Sequence, residues 1–568
     1  MLEDYDKSHF DIIVAGAGPA GSSAAAAAAH KNCTVLLLDR KKNVGQPVRC
    51  GEGISEAALL KNLGKIKPEW VSGETDSASI ISPAGHEVTI ERMGKAVILD
   101  REKFDLDLVN EAIKKGAEFL GGCNVTGLVF EKGAVTGVNA EVDGKKTALF
   151  CKVLIIADGV ESAIAPAAGI KTAVPLHDME VCHQYLVSGC KSPERRIKFY
   201  VGGKVAPGGY IWVFPKRNGL ANIGIGIDGH SAGRKKPEIY LKEFLEKHFP
   251  DVKIEKETFG GVPVCPQLEK PYGPGFLITG DAARQVNSVN GGGLSYSLTS
   301  GQIAGKTASG AVLSNDFTEE YLSSYYKRWQ SRLGKKKDIT DRVKDELRKI
   351  EDKEKDRIAE KLSSSPFNSI AAFFARLFMF RPKLLFYSMR IFLDYSNIAA
   401  KVPMLLIVLG ITIFSDQASK AWAVANFDYG PVPVFGGELK ELCYINVVKN
   451  YGAAFSTEPH KIFPFIPRTV FFAVITAGAA IIMALYYFSL DMKEKLKRFS
   501  LVFILGGAAG NLIDRVRHGF VYDFMDCDFP DFIMERWPVW NAADAFITIG
   551  VAIFIFTEIK SKKKGTHN

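Results

Sequence analysis

Three aspartates stand where an ionised side chain costs most. Asp416, Asp514 and Asp544 each fall within or at the end of an apolar run, at about 402–425, 498–514 and 541–559. A fourth run, about 467–490, contains the charge-free stretch Thr469 to Leu490. The other three reach bilayer-spanning length only by including their aspartate. Ionisable groups at membrane depth are expensive and functional by default. They serve either proton and ion pathways or acid–base catalysis. Two carboxylates placed together share a proton, so one can activate water while the other donates to a carbonyl.

A second set of residues suits a dinucleotide. The apolar run Asp11 to Ala15 leads into Gly16-Ala17-Gly18-Pro19-Ala20-Gly21 and then an alanine-rich stretch. Gly16 permits a tight turn, Gly18 lets the backbone approach a pyrophosphate, and Gly21 lets a helix pack on the strand. The helix N-terminus offers N–H groups and a positive dipole to the phosphates. A second strand, TVLLLD, ends at Asp39, 18 residues after Gly21, where a carboxylate accepts ribose hydroxyls.

The elements that hold these groups divide the chain. At 568 residues it exceeds one ordinary core. Before about residue 400 the apolar runs are short and broken by Gly, Pro and charge; after Val402 they lengthen. The boundaries drawn are 1–345, a helical connector 346–401, and 402–568. Lys335 to Lys361, with mixed charges at helical spacing, reads as a solvated helix. Phe367 to Lys401 carries Arg376, Arg381, Lys383 and Arg390 among apolar residues, and reads either as a membrane-surface segment or as core helices. The net charge of +9 is modest for this length, and no nucleic-acid partner is expected. Nine cysteines without a CxxC pair argue against a disulfide framework and against a structural zinc site; no metal is expected. The N-terminus MLEDYDKSHF lacks the form of a signal peptide, so the first domain is expected in the cytosol.

Charge also orients the apolar half. Basic residues flank the start of the first run (Arg390, Lys401), the second-to-third loop (Lys493, Lys495, Lys497, Arg498) and the tail from Lys560 to Lys564. Asp523, Asp526, Asp528, Asp531 and Glu535 follow Asp514. The positive-inside rule then puts both ends in the cytosol. Asp416, 14 residues beyond Val402, sits about 21 Å up its helix, so the three aspartates gather toward the outer leaflet. That one-sided gathering favours a protease over an ion pathway.

Family resemblances sharpen both halves. Asp158 in Ala157-Asp158-Gly159, and Gly280-Asp281 followed by Asn290-Gly291-Gly292-Gly293-Leu294, resemble the FAD-dependent reductase and hydroxylase superfamily. The resemblance implies an α/β FAD-binding domain of Rossmann type, with Asp281 on the ribityl chain, Gly292 and Gly293 at a helix facing the flavin, and Arg101 near the cofactor. Tyr210-Ile211-Trp212-Val213-Phe214-Pro215 with Gly224-Ile225-Gly226 resembles the geranylgeranyl reductase signature, in which Tyr210, Trp212 and Phe214 would line a prenyl tunnel. Arg49-Cys50-Gly51-Glu52-Gly53 resembles that family's cysteine loop, where Cys50 would supply a proton. The implied reaction is reduction of C=C bonds in an isoprenoid lipid by reduced FAD, with an unknown electron donor. The alternative is a flavin monooxygenase.

SDQASK with Asp416 and Lys420, NYGAAFS with Asn450, GGAAGNLIDR with Asn511 and Asp514, and WNAADA with Asn541 and Asp544 resemble lipoprotein signal peptidase. The resemblance implies an all-α four-helix transmembrane bundle in the cell membrane that cleaves lipid-modified prolipoproteins. Asp514 and Asp544 are its expected catalytic pair, with Asp416, Asn450, Asn511 and Asn541 orienting the pair and the substrate. The strand-like LCYINVV within 426–460 would belong to an outer cradle. Tyr451 departs from the proline that commonly follows the asparagine. The alternative is a membrane anchor or ion pathway.

Overall fold

The computed structural model describes residues 8–29, 33–191, 195–364, 395–427, 430–435, 442–451, 468–490, 494–527 and 538–565, with isolated positions between 366 and 377. Most of 367–401, the residues after Tyr451 in NYGAAFS, and Asp528, Asp531 and Glu535 lie outside the described residues. The chain divides into two units, Met1–Ile391 and Phe392–Asn568.

In the first unit, β1 (His9–Ala15) feeds α1 (Pro19–Ala28), and β2 (Val35–Asp39) and β3 (Lys145–Ile156) flank β1 in parallel. Their apolar residues are buried on both faces, as a covered parallel sheet requires. Four further strands follow: β4 (Met179–Ser188), β5 (Ala206–Pro215), β6 (Ala221–Asp228) and β7 (Lys253–Pro263). They form a second, seven-stranded sheet in the order β7-β4-β6-β5, continued by Arg196–Gly202, Ser77–Ile81 and Glu87–Ile90. β8 (Phe276–Ile278) returns to the first sheet beside β3 and leads toward α2 (Leu294–Ser314). Helix α2 lies directly on α1. A Cβ at Gly301 would fall 2.1 Å from the Ala20 carbonyl, and one at Gly305 2.1 Å from that of Ala24, so small residues set this approach.

One face of the second sheet is core. Tyr185, Val187, Ile211, Val213, Ile223, Ile225 and Ile227 pack with Leu241, Phe244 and Leu245 of the helix Pro237–His248. Strand alternation sends Tyr210, Trp212 and Phe214 to the opposite face.

The expected solvated helix at 335–361 is instead two packed helices. In α3 (Lys335–Arg348), Lys337, Asp341 and Lys344 are buried. Lys337 Nζ donates to the Cys265 carbonyl at 2.7 Å and to Ser288 Oγ at 2.8 Å, and pairs with Asp341. Lys344 Nζ meets Asp178 Oδ1 at 2.6 Å and the Val264 carbonyl at 2.7 Å. Each buried ammonium is matched by acceptors, which is what allows it inside. The next helix, Asp352–Leu362, buries Ile358 and Leu362 against Val88 and Ile90.

The second unit holds α4 (Tyr395–Asn426), β9 (Cys443–Asn450), α5 (Arg468–Ser489), α6 (Lys495–His518), β10 (Val521–Cys527) and α7 (Ala542–Gly565). Among the described residues, three helices are long and apolar enough to cross a membrane: Lys401–Asn426, Lys495–His518 and Ala542–Ile559. β9 pairs antiparallel with β10 and with Val432–Pro433. Cys443 and Cys527 face each other across the β9–β10 register and form a disulfide. The expectation of reduced cysteines therefore fails for this pair. Their sequence separation of 84 hides a contact that only strand pairing creates. The described cysteines of the first unit form no disulfide.

Candidate functional site

The glycine loop between β1 and α1 is built as a phosphate cradle. Gly16 has φ +111°, and a Cβ there would meet the Ala157 carbonyl at 2.3 Å. A Cβ at Gly21 would fall 1.7 Å from the Gly16 carbonyl, whereas one at Gly18 would meet nothing within 4 Å. The loop is thus closed behind and open at Gly18, and α1 has no side-chain cap on its first N–H groups. Asp39 accepts from the Ala17 N–H at 2.7 Å and from Lys41 N–H at 2.8 Å, fixing the loop beside the expected ribose position.

Asp281 points into the same region with a buried Oδ1 that has no hydrogen-bond partner. Burial pushes its carboxyl up to about 6, with Arg101 opposing. A Cβ at Gly293 would sit 3.1 Å from that oxygen and one at Gly292 3.0 Å from Asn290 Oδ1, so only glycine leaves this space open. Gly280, at φ +70°, makes the preceding turn. Asp158 uses Oδ2 to accept from the Ile164 N–H at 2.9 Å, leaving Oδ1 buried and unpartnered. Orphaned acidic oxygens facing a glycine-walled space fit the ribityl and ribose hydroxyls of a flavin dinucleotide.

Arg101 ties the flavin region to the cysteine loop. Its guanidinium forms a bidentate pair with Asp105 at 2.8 Å and 2.8 Å, and its side chain is only 11% exposed. It also interacts electrostatically with Cys50 and with Asp281. Burial pushes the Cys50 thiol up, against Arg101, so the sulfur keeps its proton.

The aromatic strand meets that same loop. A Cβ at Gly51 would lie 3.4 Å from the Phe214 ring and 3.5 Å from Trp212 Nε1, and one at Gly53 3.1 Å from Phe214. Trp212 pairs in register with Gly224, where a Cβ would fall 2.2 Å from its ring, and Tyr210 pairs with Gly226. The GxG element therefore exists to seat the aromatics. Trp212 Nε1 donates to Asn222 Oδ1 at 3.0 Å, and Asn222 Nδ2 donates to Glu52 Oε2 at 2.9 Å. Glu52 also pairs with Lys216 at 2.6 Å. Tyr210 donates to the Asn290 carbonyl at 2.6 Å. The loop that carries Cys50 thus meets Trp212 and Phe214, distant in sequence, through Gly51 and Gly53.

In the second unit, the GGAAGN glycines let three helices close. A Cβ at Gly506 would overlap Thr412, one at Gly507 the Ala543 carbonyl, and one at Gly510 would lie 2.4 Å from Asp416 Oδ2. Asp416 is fully buried; it accepts from the Ala543 N–H at 2.9 Å and from Lys420 Nζ at 2.9 Å. Lys420 lies 2.9 Å from Asp514 Oδ2 and donates to Asn511 Oδ1 at 3.0 Å. Gln417 donates to Asp514 Oδ1 at 2.9 Å. Asp514 is thus ion-paired with Lys420 and hydrogen-bonded through Oδ1, while its buried Oδ2 has no hydrogen-bond partner.

Asp523, on β10, is coupled to Asp544 electrostatically and through Asn541. Asn541 Nδ2 donates to Asp523 Oδ1 at 2.6 Å, and Asn541 exchanges hydrogen bonds with Asp544: its N–H to Oδ2 at 3.3 Å, its Oδ1 from the Asp544 N–H at 3.1 Å. Asn450 Nδ2 donates to Asp523 Oδ2 at 2.8 Å, and Asn511 Nδ2 to Asp544 Oδ1 at 2.9 Å. Burial pushes Asp523 up to about 6, and the Asp544 charge adds to the rise. Arg515 interacts electrostatically with Asp514, Asp523 and Asp544. The sequence reading gave no role to Asp523, Gln417 or Arg515. For Asp523 the available signal was its place, two residues into a short apolar-alternating stretch after the helix-ending Gly519.

Comparison with known proteins bears on both units. Residues 10–197 match the family described as pyridine nucleotide-disulphide oxidoreductase, residues 178–262 the geranylgeranyl reductase catalytic domain, and residues 408–560 signal peptidase (SPase) II. A digeranylgeranylglycerophospholipid reductase from Methanococcoides burtonii is 40% identical over 385 residues, 67% of this chain and 94% of that protein. One from Methanosarcina acetivorans is 40% identical over 374 residues, covering 65% and 92%. A crystal structure of a geranylgeranyl bacteriochlorophyll reductase-like protein from Thermoplasma acidophilum superposes with TM-score 0.63 at 29% identity, covering 67% of this chain and 98% of its own.

Proposed function

This chain belongs to the geranylgeranyl reductase family and continues into a signal peptidase II domain, and we propose that one polypeptide reduces prenyl double bonds and cleaves lipid-modified precursors. The substrate of the first unit is a prenylated glycerophospholipid, by analogy with the named relatives. The observation that carries this reading is that the loop bearing Cys50 packs on Trp212 and Phe214 through Gly51 and Gly53, with Arg101 coupled to both Cys50 and Asp281. When bound and reduced, FAD supplies the hydride. Gly16, Gly18, Gly21, Asp39, Asp158 and Asp281 hold the cofactor, and Gly292 and Gly293 leave it room. Trp212 and Phe214 give a rigid apolar surface for the alkene. Cys50, kept as a thiol, delivers the proton to the carbon opposite the one that takes hydride.

The purified chain is expected to carry FAD, visible in its absorbance spectrum. Well-folded protein without flavin, and without uptake of added FAD, would overturn the cofactor assignment.

In the second unit the proposed catalytic pair is Asp523 and Asp544. The carrying observation is that Asn541 contacts both, while Lys420 and Gln417 occupy Asp514. Asp523 holds a proton and donates it to the scissile carbonyl; Asp544 takes one from water. Asn450, Asn511 and Asn541 aim these carboxylates, and Lys420 with Asp416 and Asp514 forms the charged floor beneath them. Cleavage of a synthetic lipidated precursor by purified protein in detergent tests this activity.

The proposed topology has several membrane passes, with the first unit in the cytosol and the peptidase site near the outer leaflet. The disulfide on the strand that carries Asp523 supports it, as does the lack of any disulfide among the described cysteines of the first unit, since disulfides persist in oxidising compartments. A membrane-impermeant thiol reagent on intact cells is expected to label Glu458→Cys but not Lys564→Cys. The reverse pattern would invert the topology.

A further inference from the structure

We propose that Glu180 selects the substrate of the reductase by hydrogen-bonding the oxygen-bearing head of the prenyl lipid, at the far end of the aromatic wall. This rests on the reductase reading above. The register of the second sheet sets the geometry. Trp212 pairs with Gly224 and Gly224 with Gln184; Tyr210 pairs with Gly226 and Gly226 with Cys182; Asp228 pairs with Glu180. These rows share one face, so Glu180 lies two rows beyond Trp212, about 14 Å along the sheet. The wall thus runs from the cysteine loop through Phe214, Trp212 and Tyr210 and ends on an acid.

That acid is held with one oxygen unused. Arg348 Nη2 donates to Glu180 Oε1 at 2.9 Å, while Arg348 Nη1 is fixed by the His177 carbonyl at 2.9 Å and Asp178 Oδ1 at 3.1 Å. Glu180 Oε2 is buried and has no hydrogen-bond partner. Glycines border it: a Cβ at Gly209 would stand 2.8 Å from it, and one at Gly226 3.5 Å. A buried polar oxygen without a partner is costly, and a ligand atom that completes it recovers that cost. A pure hydrocarbon has no such atom; a glycerol ether, hydroxyl or phosphate does. Burial pushes Glu180 up to about 7, against Arg348 and Lys344 and with Asp228, so near neutrality it has a proton to donate to such an oxygen.

The test compares two substrates with the full-length protein: a geranylgeranylated glycerophospholipid, and a prenyl hydrocarbon of the same chain length without a head. Glu180→Leu is expected to raise KM for the headed lipid about tenfold or more, the size of one lost buried hydrogen bond, and to leave KM and kcat for the hydrocarbon unchanged. Glu180→Gln, which keeps a donor, should stay within about threefold. Equal changes for both substrates, or no change for either, would overturn the assignment. If the unmutated protein reduces neither substrate, the reductase reading fails first and this one falls with it.

Discussion

Asp523→Asn and Asp544→Asn should each abolish cleavage of a lipidated precursor while prenyl reduction by the same sample continues. Each substitution keeps side-chain shape and removes a titratable group. One member must give a proton as the other takes one, so either loss stops the cycle. The double variant should be about as inactive as either single, because the two act as a unit. Asp514→Asn and Asp416→Asn should retain measurable cleavage, since Lys420 keeps one carboxylate partner in each case. Cleavage by Asp514→Asn as weak as by Asp523→Asn would return Asp514 to the catalytic pair. The pH profile offers a second check. Asp523 is pushed up to about 6, so it holds its proton below that pH and loses it above. With both carboxylates ionised no donor remains, and the rate should fall as pH climbs beyond about 6.

Cys50→Ala is expected to leave the flavin spectrum intact and slow single-turnover prenyl reduction by roughly 10²-fold, the lower end of what a positioned acid contributes. The thiol is the group best placed to act: it borders the Trp212 and Phe214 rings through Gly51 and remains protonated. Cys50→Ser, a much weaker acid in the same place, should recover little. An unchanged rate in both variants would make Cys50 a packing residue of the cluster around Trp70 and Phe104.

What could be read from the sequence was what local geometry determines. Gly16 and Gly21 announce the cradle because a tight turn and a close helix leave no room for Cβ, and Gly18 because its side must stay open to a phosphate. The YxWxFP and GxG elements were legible as a pair, although their pairing reason, Trp212 lying over Gly224, appears only in the strand register. Asp523 drew no site role because depth in an apolar run was taken as the mark of a catalytic acid. Its burial comes from β10 folding back over the helices, and one of its partners, Asn450, is 73 residues away. The charges of 335–361 misled for the same reason. Helical spacing cannot distinguish a wet face from one whose Lys344 meets Asp178, 166 residues earlier.

The Cys443–Cys527 bond has an energetic consequence for the pair of activities. It closes a loop across 84 residues, which in the chain-entropy picture removes about 4–5 kcal/mol of freedom from the unfolded state. That is a large share of the net stability of an ordinary domain. The bond staples the strand carrying Asp523 to the strand carrying Asn450, so the catalytic carboxylate depends on it for its footing. Among the described residues, no disulfide constrains the first unit. A cell short of oxidising power outside its membrane would therefore make chains whose lipid saturation proceeds normally while precursor processing stalls.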